Sequence, residues 1–399
     1  MINERDFVRR VRRTVHRRPE RSHAEVLTAS YVERLLCRFG LMPFRPAPTS
    51  VAVIIGRGTS PPAVGFRADL DALALTEPAS RPYASLNPGT THACGHDGHT
   101  AALLGLARRL AADPPPVRVL LVWQQGEEAH PSGAPAVLHG LGDARPAEMF
   151  AFHLWPELPA GTVGSRPGPV LASVAGLVVT ITGATGHSHG SACDSGAVDA
   201  LRAGVEFHQE VTRRWTGRHP GSNQPAVVTI GQLDSGTAPN RTPVECTLRG
   251  TLRALSWADE RDAMARLREI GAAVTARTGA QVQVSVQSGI RPPVINDPAS
   301  VDRASTAAAA VGHPWLRHPA GPVGVSDDFG WYLEGCPGAL LFLGCGGPGV
   351  PDLHQPEFDF DESVLLVAVD VADRIVRHLA DQPPAAAGHR LAGLHKRGT

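Results

Sequence analysis

Lysine is almost absent from this chain of 399 residues: among its 38 basic residues, Lys396 is the only lysine and all the others are arginines. A phosphate-binding loop of the Walker type needs a lysine, and so does an enzyme that forms a Schiff base with its substrate. Both classes of protein are therefore excluded. We interpret the bias itself as compositional rather than chemical.

The chain also lacks a charge excess, a long apolar run and paired cysteines. Its Lys+Arg count of 38 equals its Asp+Glu count of 38, so neither a nucleic-acid partner nor an anionic membrane is indicated. No run approaches the roughly 18 apolar residues of a membrane span, and residues 1–13 precede no apolar segment. The six cysteines form no C-x-x-C motif, which argues against a disulfide framework or zinc finger. We expect a cytoplasmic protein.

Short apolar segments that end in polar residues predict four buried strands, over 63–67, 117–123, 148–152 and 339–343. Helical periodicity lies around them, over 5–17, 23–39, 98–112 and 363–380. Strands that alternate with helices predict an α/β fold with an open, mixed sheet flanked by helices. In such folds, ligands bind beyond the carboxyl ends of the strands.

The middle of the chain has a different pattern, which predicts an inserted domain. Strands are expected over 174–182, 226–233, 244–253 and 281–287, and helices over 196–215 and 257–278. This βαββαβ order is typical of a ferredoxin-like domain. We therefore expect a catalytic domain formed by 1–173 and 290–382, an inserted domain over 174–289 and a disordered tail over 383–399.

The strongest local signal is the segment 92–99, His-Ala-Cys-Gly-His-Asp-Gly-His, which lies just before a predicted helix. It places three histidines, a cysteine and an aspartate within eight positions. Thiolate and imidazole together suit Zn²⁺ and neighbouring transition metals better than Mg²⁺ or Ca²⁺. The segment predicts a metal site, whereas His99 fits a structural role and Asp97 fits the cap of the following helix.

Two adjacent carboxylates, Glu127 and Glu128, follow a predicted buried strand. Adjacent residues on an extended strand end point in different directions. One carboxylate can therefore bind a metal while the other faces the substrate. Metal-assisted hydrolysis needs this division, because an activated water still requires a base.

Seven segments together resemble the M20 metallopeptidase family, namely 66–73, 92–100, 124–128, 183–187, 250–253, 327–329 and 353–356. Within that family they are similar to the amidohydrolase branch that contains hippurate hydrolases and indole-acetyl-amino-acid hydrolases. The match runs in order over almost the whole chain, and 92–100 is its most specific part.

The resemblance implies roles for particular residues. The ligands of a two-metal centre would be Cys94, His96, Glu128, His153 and His354. Glu127 would be the general acid/base, and His187 would stabilise the tetrahedral intermediate in a neighbouring subunit. Asn240 and Arg253 would help to hold the substrate, and Asp71 and Asp97 would orient the ligands.

The same resemblance implies a reaction, metals and an assembly. The expected enzyme hydrolyses the amide of an N-acyl amino acid, with Glu127 taking a proton from the attacking water and returning it to the leaving amine. The implied cofactors are two divalent transition-metal ions per subunit, Zn or Mn first, then Co or Ni. The implied assembly is a homodimer formed through the inserted domain.

Some residues depart from the pattern of the branch. Gln125 and Gly126 replace a proline and an alanine, the segment 129–132 replaces a glycine-rich stretch, and Asp327 replaces a glutamate. These changes flank the site without removing a ligand, so they concern substrate, metal choice or rate.

Three alternatives stay open. Cys94 could act as a nucleophile with His96 as its base. The chain could be a binding protein that kept the fold without activity, although every expected ligand is present. It could also be a dipeptidase or a specialised biosynthetic amidase of the same fold.

Overall fold

A computed structural model describes residues 2–58, 60–184, 197–215, 224–319 and 323–381. Within these ranges the chain forms nine α-helices and thirteen β-strands. The helices are α1 (Glu4–His16), α2 (Val26–Arg38), α3 (His96–Ala112), α4 (Ala134–Leu141), α5 (Ala200–Arg214), α6 (Trp257–Thr278), α7 (Pro298–Ala310), α8 (Gly330–Leu333) and α9 (Leu365–Ala380). The strands are β1 (Val51–Ile55), β2 (Val64–Asp69), β3 (Val119–Gln124), β4 (Met149–Pro159), β5 (Val163–Ser165), β6 (Gly168–Leu171), β7 (Val174–Thr182), β8 (Ala226–Ser235), β9 (Glu245–Ala254), β10 (Gln281–Arg291), β11 (Val294–Asn296), β12 (Trp315–Arg317) and β13 (Gly338–Gly346).

The larger sheet has seven strands in the order β1-β3-β2-β4-β13-β5-β12. Its centre is parallel: Phe66 pairs with Leu121 and with Phe150, and His153 pairs with Phe342. The edge strand β1 pairs antiparallel with β3, and β5 pairs antiparallel with β13. The predicted mixed sheet is therefore confirmed, and the carboxyl ends of its central parallel strands point to the same edge.

Helices cover both faces of this sheet, because its central strands are apolar on both sides. One core lies under α1, α2, α3, α7 and α9 and contains the fully buried Leu104 and Trp123. The other lies under α4 and α8 and contains Phe342 and Tyr332. Each fully buried large apolar side chain contributes about 1.5–3 kcal/mol to folding, so these two cores fix the sheet edge that carries the polar residues.

The segment between residues 174 and 291 builds a separate four-stranded antiparallel sheet in the order β10-β7-β9-β8. Helices α5 and α6 pack on it around their own core, which includes Phe207 and Leu267. Helix α6 keeps its predicted bounds, since Ser256 caps its start through Asp259 N and Gly279 ends it with a positive φ. The exact domain limits at 173/174 and 289/290 stay a prediction, and the tail over 383–399 lies outside the described residues.

None of the helices in the described ranges combines the length and apolar character needed to span a bilayer.

Candidate metal centre

Five side chains from distant parts of the sequence meet at the polar edge of the larger sheet. We call this group the Cys94 cluster; its members are Cys94, His96, Glu128, His153 and His354. Cys94 Sγ lies 3.6 Å from His153 Nε2 and 3.3 Å from His354 Nε2. Glu128 Oε1 lies 3.2 Å from His354 Nε2 and 3.9 Å from His96 Nε2. The structure thus brings together all five residues for which the resemblance implies metal binding.

The cluster falls into two overlapping sets. The donor atoms of Cys94, His96 and His153 lie within 4.8 Å of one another, and so do those of Cys94, Glu128 and His354. Cys94 belongs to both sets. This arrangement matches a site for two cations rather than one.

Local backbone geometry presents these residues. Gly95, between Cys94 and His96, has φ +84°, and a Cβ there would lie 2.7 Å from Leu154 Cδ1, so only glycine fits. His354 has φ +64°, which is unusual for a residue with a side chain. Its N–H donates to Ala93 O at 2.8 Å, next to Cys94. Such strained positions persist where the surrounding structure fixes them, often at functional sites.

Two histidines of the cluster have an oriented ring. His96 Nδ1 donates to Asp71, whose main-chain O is 3.0 Å and whose Oδ1 is 3.1 Å away. His153 Nδ1 donates to Leu154 O at 2.8 Å. Each bond fixes the tautomer in which Nε2 keeps its lone pair, as metal-binding histidines require. Burial lowers the pKa of His153 to about 4, so its ring is neutral at pH 7.

Asp71 holds two members of the cluster at once. Besides facing His96, its Oδ2 accepts from Glu128 N at 2.9 Å and from Ser22 Oγ at 2.6 Å. These contacts are compatible with the orienting role that the resemblance implies for Asp71.

Asp97 is placed differently. Its Oδ2 accepts from Arg12 Nε and His16 Nδ1, both at 2.7 Å, so it ties α1 to this loop and does not touch the His96 ring. The expectation that Asp97 orients a ligand is wrong, since its charge is used by these two cationic partners. The N-cap position of α3 is Gly95 and not Asp97, although Asp97 Oδ1 accepts from Gly98 N at 2.9 Å in the first turn.

Glu127 lies next to the Cys94 cluster but is in neither of the two donor sets that contain Cys94. An oxygen of its carboxylate lies within 4.8 Å of the donor atoms of His96 and Glu128. Burial raises the pKa of Glu127 well above its usual value, and the charges of Glu128 and Asp327 raise it further. A carboxylate with a raised pKa can both accept and release a proton near neutral pH.

A buried ion network forms the floor of the site. Arg67 on β2 donates to Asp69 Oδ2 at 2.6 Å and to Asp328 Oδ1 at 2.7 Å. Gln124, at the end of β3, donates to both carboxylate oxygens of Asp328 at 2.8 and 2.9 Å. Breaking a buried pair of this kind typically costs 3–5 kcal/mol. The network therefore fixes the ends of β2 and β3, from which Asp71 and Glu127 follow.

His99 belongs to this floor. Its Nδ1 lies 2.7 Å from Asp69 Oδ1, and its Nε2 accepts from Leu154 N at 2.9 Å. Both ring nitrogens are thus in use, in agreement with the structural role expected for His99.

The chemistry of the donor set fits transition metals. Within the described part of the chain, His96 Nε2 and Glu128 Oε1 are buried without a hydrogen-bond partner. Buried polar atoms are nearly always paired, so this nitrogen and oxygen, 3.9 Å apart, indicate a place where a cation binds. One thiolate, three imidazoles and one carboxylate are the ligands that suit zinc-like ions.

A cavity of about 590 Å³ opens beside the cluster, between the two sheets. Trp155 and Leu353 line it; Trp155 lies two residues after His153, and Leu353 directly precedes His354. Arg253 lines it from β9 and donates to Gly324 O at 2.6 Å. Arg253 thus lines the same cavity as Trp155 and Leu353, and its role in holding substrate stays a prediction.

Asn240, another predicted site residue, is not brought to this cavity. Asn240 lies on an exposed turn between β8 and β9 and is not among the residues that line the cavity. His187 lies outside the described residues.

Sequence reasoning missed two arginines of the site. Arg67 and Arg291 are almost fully buried, and Arg291 contacts Glu127 with an N–O distance of 3.1 Å. The only signal was an arginine inside or directly after an apolar strand pattern, where a buried charge needs a partner. Nothing in the sequence names that partner, because Asp328 is 261 positions away from Arg67.

Comparison with known proteins finds relatives that align with almost the whole chain. An N-acetyldiaminopimelate deacetylase of Exiguobacterium sibiricum is 31% identical over 376 residues, which cover 93% of this chain and 99% of the relative. A Rhodococcus jostii protein with a glutamate–cysteine ligase name is 34% identical over 382 residues, and the chain spans only 46% of its length.

A solved structure shares the fold. The YXEP protein of Bacillus subtilis, a dinuclear metal-binding peptidase from the M20 family, has a TM-score of 0.82 and 28% identity. The match covers 95% of this chain and 99% of that one. Residues 65–378 match Peptidase family M20/M25/M40. The family resemblance is confirmed, and the chain belongs to peptidase family M20/M25/M40.

Proposed function

We propose that this protein is a metal-dependent amidohydrolase that cleaves the amide bond of N-acyl amino acids or related small amides. The observation that carries the proposal is the convergence of the Cys94 cluster with Glu127 beside it. The deacetylase name of a relative that aligns over 99% of its length supports the same class of substrate.

The Cys94 cluster would hold two divalent cations. We propose Zn or Mn first, with Co or Ni as further choices, and affinity alone does not select among these ions. When bound, the cations would polarise the acyl carbonyl and lower the pKa of a water in the site. His96 and His153 have their rings fixed for this task by hydrogen bonds on Nδ1.

Glu127 would move the proton. Its Oε1 faces Arg291 Nη1 at 3.1 Å, and Oε2 has no hydrogen-bond partner among the described residues. Oε2 is thus the atom that takes a proton from the attacking water and later gives it to the leaving amine nitrogen. The raised pKa of Glu127 keeps the proton on the carboxyl group between these two steps.

The substrate would occupy the cavity beside the cluster. Trp155 and Leu353 offer apolar walls to the acyl group or side chain, and the Arg253 guanidinium offers a partner to the carboxylate of the amino acid. Asn240 is proposed as a further contact.

The proposal also includes an assembly and a cellular location. We infer a homodimer formed through 174–289, in which His187 serves the site of the second subunit, and a cytoplasmic location. Mixing a His187→Ala protein with a Glu127→Gln protein tests the shared site. Activity should reappear in the mixture when sites are shared, and an inactive mixture of stable dimers contradicts it.

The main test combines metal analysis with an assay. Protein purified without added metal is analysed for bound cations and then assayed on a panel of N-acyl amino acids. We expect about two divalent cations per chain, loss of turnover with a chelator and recovery with added cation. A protein that stays fully active after complete metal removal contradicts the proposal.

The same assay distinguishes the proposed metal enzyme from the alternative in which Cys94 is the nucleophile. Burial raises the pKa of the Cys94 thiol well above its usual value, and the charge of Glu128 raises it further. A nucleophilic cysteine needs the opposite shift. A thiol enzyme would survive chelation and lose activity on alkylation, whereas a binding protein without activity would bind N-acyl amino acids and leave them intact.

A further inference from the structure

Arg291 is a buried arginine that holds Glu127 at two points. Its Nη1 lies 3.1 Å from Glu127 Oε1, and its Nη2 donates to the main-chain O of the same residue. A weaker contact of 3.5 Å joins Nη2 to Ala129 O. One guanidinium thus bridges the side chain and the backbone of a single residue.

This grip restricts the Glu127 side chain. A free glutamate samples several rotamers, and fixing it in one of them costs conformational entropy. A planar guanidinium that binds both the carboxylate and the main-chain O of Glu127 orders this side chain before substrate binds. Asp328 N lies 3.4 Å from the same Oε1, so these contacts are on Oε1, and no hydrogen bond to Oε2 is found among the described residues.

The negative charges around Glu127 make its contact with Arg291 necessary. Glu127, Asp327 and Asp328 place carboxylate oxygens within 4.8 Å of one another, and such groups repel. Arg67 is occupied by Asp69 and Asp328. Among the described residues, Arg291 is the only cationic side chain in ion-pair contact with Glu127.

The position of Arg291 in the chain is itself fixed. It is the last residue of β10 and pairs with Val174, the first residue of β7. Pro292 and Pro293 follow directly, and their rings restrict the backbone. The guanidinium is therefore presented from a rigid point where the four-stranded sheet joins the rest of the chain.

We propose that Arg291 is the positioning residue of this enzyme, which holds Glu127 so that Oε2 faces the attacking water. The inference rests on the proposed function. It assigns Arg291 no contact with the reacting atoms: it acts through Glu127. A misplacement of about 1 Å in a reacting group costs on the order of 100-fold in rate, so the effect belongs in kcat rather than KM.

The test uses full-length, metal-loaded protein and the N-acyl amino acid that the wild type cleaves best. We expect Arg291→Ala to lower kcat about 100-fold with KM little changed and metal content unaltered. Added guanidinium should restore part of kcat, and Arg291→Lys should retain an intermediate kcat, because an ammonium reaches one contact but not both. Arg303→Ala is the matched control, since Arg303 pairs with Glu148 just before the opposite end of β4; its kcat should equal that of the wild type.

A double-variant cycle supplies a result that a structural role would not produce. If Arg291 acts through Glu127, then Arg291→Ala adds no further loss in a Glu127→Gln background. Equal losses in both backgrounds overturn the inference. Arg291 Nε is buried with no partner among the described residues, so the competing role is a direct bond to substrate. A rise in KM with unchanged kcat, or wild-type kinetics in Arg291→Ala, also overturns it.

The experiment distinguishes a variant that fails to fold from a failure of the inference or of the proposed function. If Arg291→Ala does not fold, Arg291→Lys and Arg291→Gln carry the same comparison, and a kcat equal to wild type in both overturns the inference. A wild type that cleaves no N-acyl amino acid with metal bound removes the proposed function and the inference together. An active wild type with unaffected Arg291 variants removes only the inference.

Discussion

His96 and Asp97 are neighbours in the chain, yet they face two different buried clusters. His96 faces the Cys94 cluster, where its Nε2 has no hydrogen-bond partner among the described residues. Asp97 faces a group that we call the Asp97 cluster, made of Arg12, His16, Glu77, Asp97 and Asp359. There, the two cations Arg12 and His16 bind its Oδ2 at 2.7 Å each.

The difference lies in what the buried polar groups lack. In the Asp97 cluster, charges of opposite sign meet directly, and the cluster joins α1 to the start of α3. In the Cys94 cluster, His96 Nε2 and Glu128 Oε1 lie 3.9 Å apart, and neither makes a well-formed hydrogen bond to a described residue, although His354 Nε2 lies 3.2 Å from Oε1. Both clusters are buried. What distinguishes the Cys94 cluster, which needs an external cation, from the Asp97 cluster, which stabilises the fold, is the presence of unsatisfied hydrogen-bond acceptors.

The largest expected effect comes from Glu127, which borders the Cys94 cluster. Glu127→Gln removes the proton acceptor but keeps the size and shape of the side chain. We expect turnover to fall by about 10²- to 10⁴-fold, while metal content and unfolding midpoint stay near those of the wild type. Steady-state kinetics with metal analysis on the same sample measures this. Near-normal turnover would show that another group moves the proton.

The opposite pattern is expected for the Asp97 cluster. Asp97→Asn leaves the buried Arg12 and His16 without their common anion. The free energy of unfolding should fall by about 3–5 kcal/mol, and the folded fraction should retain bound metal. Denaturant unfolding followed by metal analysis of the folded protein checks both. If Asp97→Asn is as stable as the wild type and loses its metal, the division between the two clusters fails.

Part of this division could be predicted from the sequence. Cys94 and His96 lie two positions apart, and a local motif is enough to indicate a metal site. Long helices such as α3, α6 and α9 are predicted from the sequence to within a few residues. The short strands β5, β6, β11 and β12 were missed because three or four residues carry no periodic signal.

The rest depends on contacts that no spacing encodes. His153 and His354 were assigned through family resemblance, since one histidine after an apolar run is ambiguous alone. Asp97 was assigned to the wrong cluster because its partners, Arg12 and His16, lie more than 80 positions away. Arg291 was missed since its partner Glu127 is 164 positions distant.

A smaller effect should appear at Asp71, which supports the Cys94 cluster from outside. Asp71→Asn places an amide where Oδ2 now accepts from Glu128 N and Ser22 Oγ, so one donor would meet another. Losing such a supporting carboxylate typically costs 10- to 100-fold in metal affinity. Competition with a coloured chelator measures this loss. Ser22→Ala is the control because it removes one bond and leaves the carboxylate, so it should change affinity much less.

The smallest effect is a pH dependence confined to the Asp97 cluster. Burial alone would lower the pKa of His16, but Asp97 and Glu77 raise it above its usual value of 6.5. A raised pKa means that the folded protein keeps a proton that the unfolded chain has released, so the stability from His16 is complete below pH 6.5 and declines as pH rises through the folded pKa. His16→Gln can donate a hydrogen bond but carries no charge, so it should lack this decline. Denaturant unfolding of both chelated proteins across neutral and alkaline pH measures the difference, and chelation removes the pH dependence of metal binding from both. Parallel curves for the two proteins would mean that His16 is neutral in the fold and that Arg12 alone neutralises Asp97.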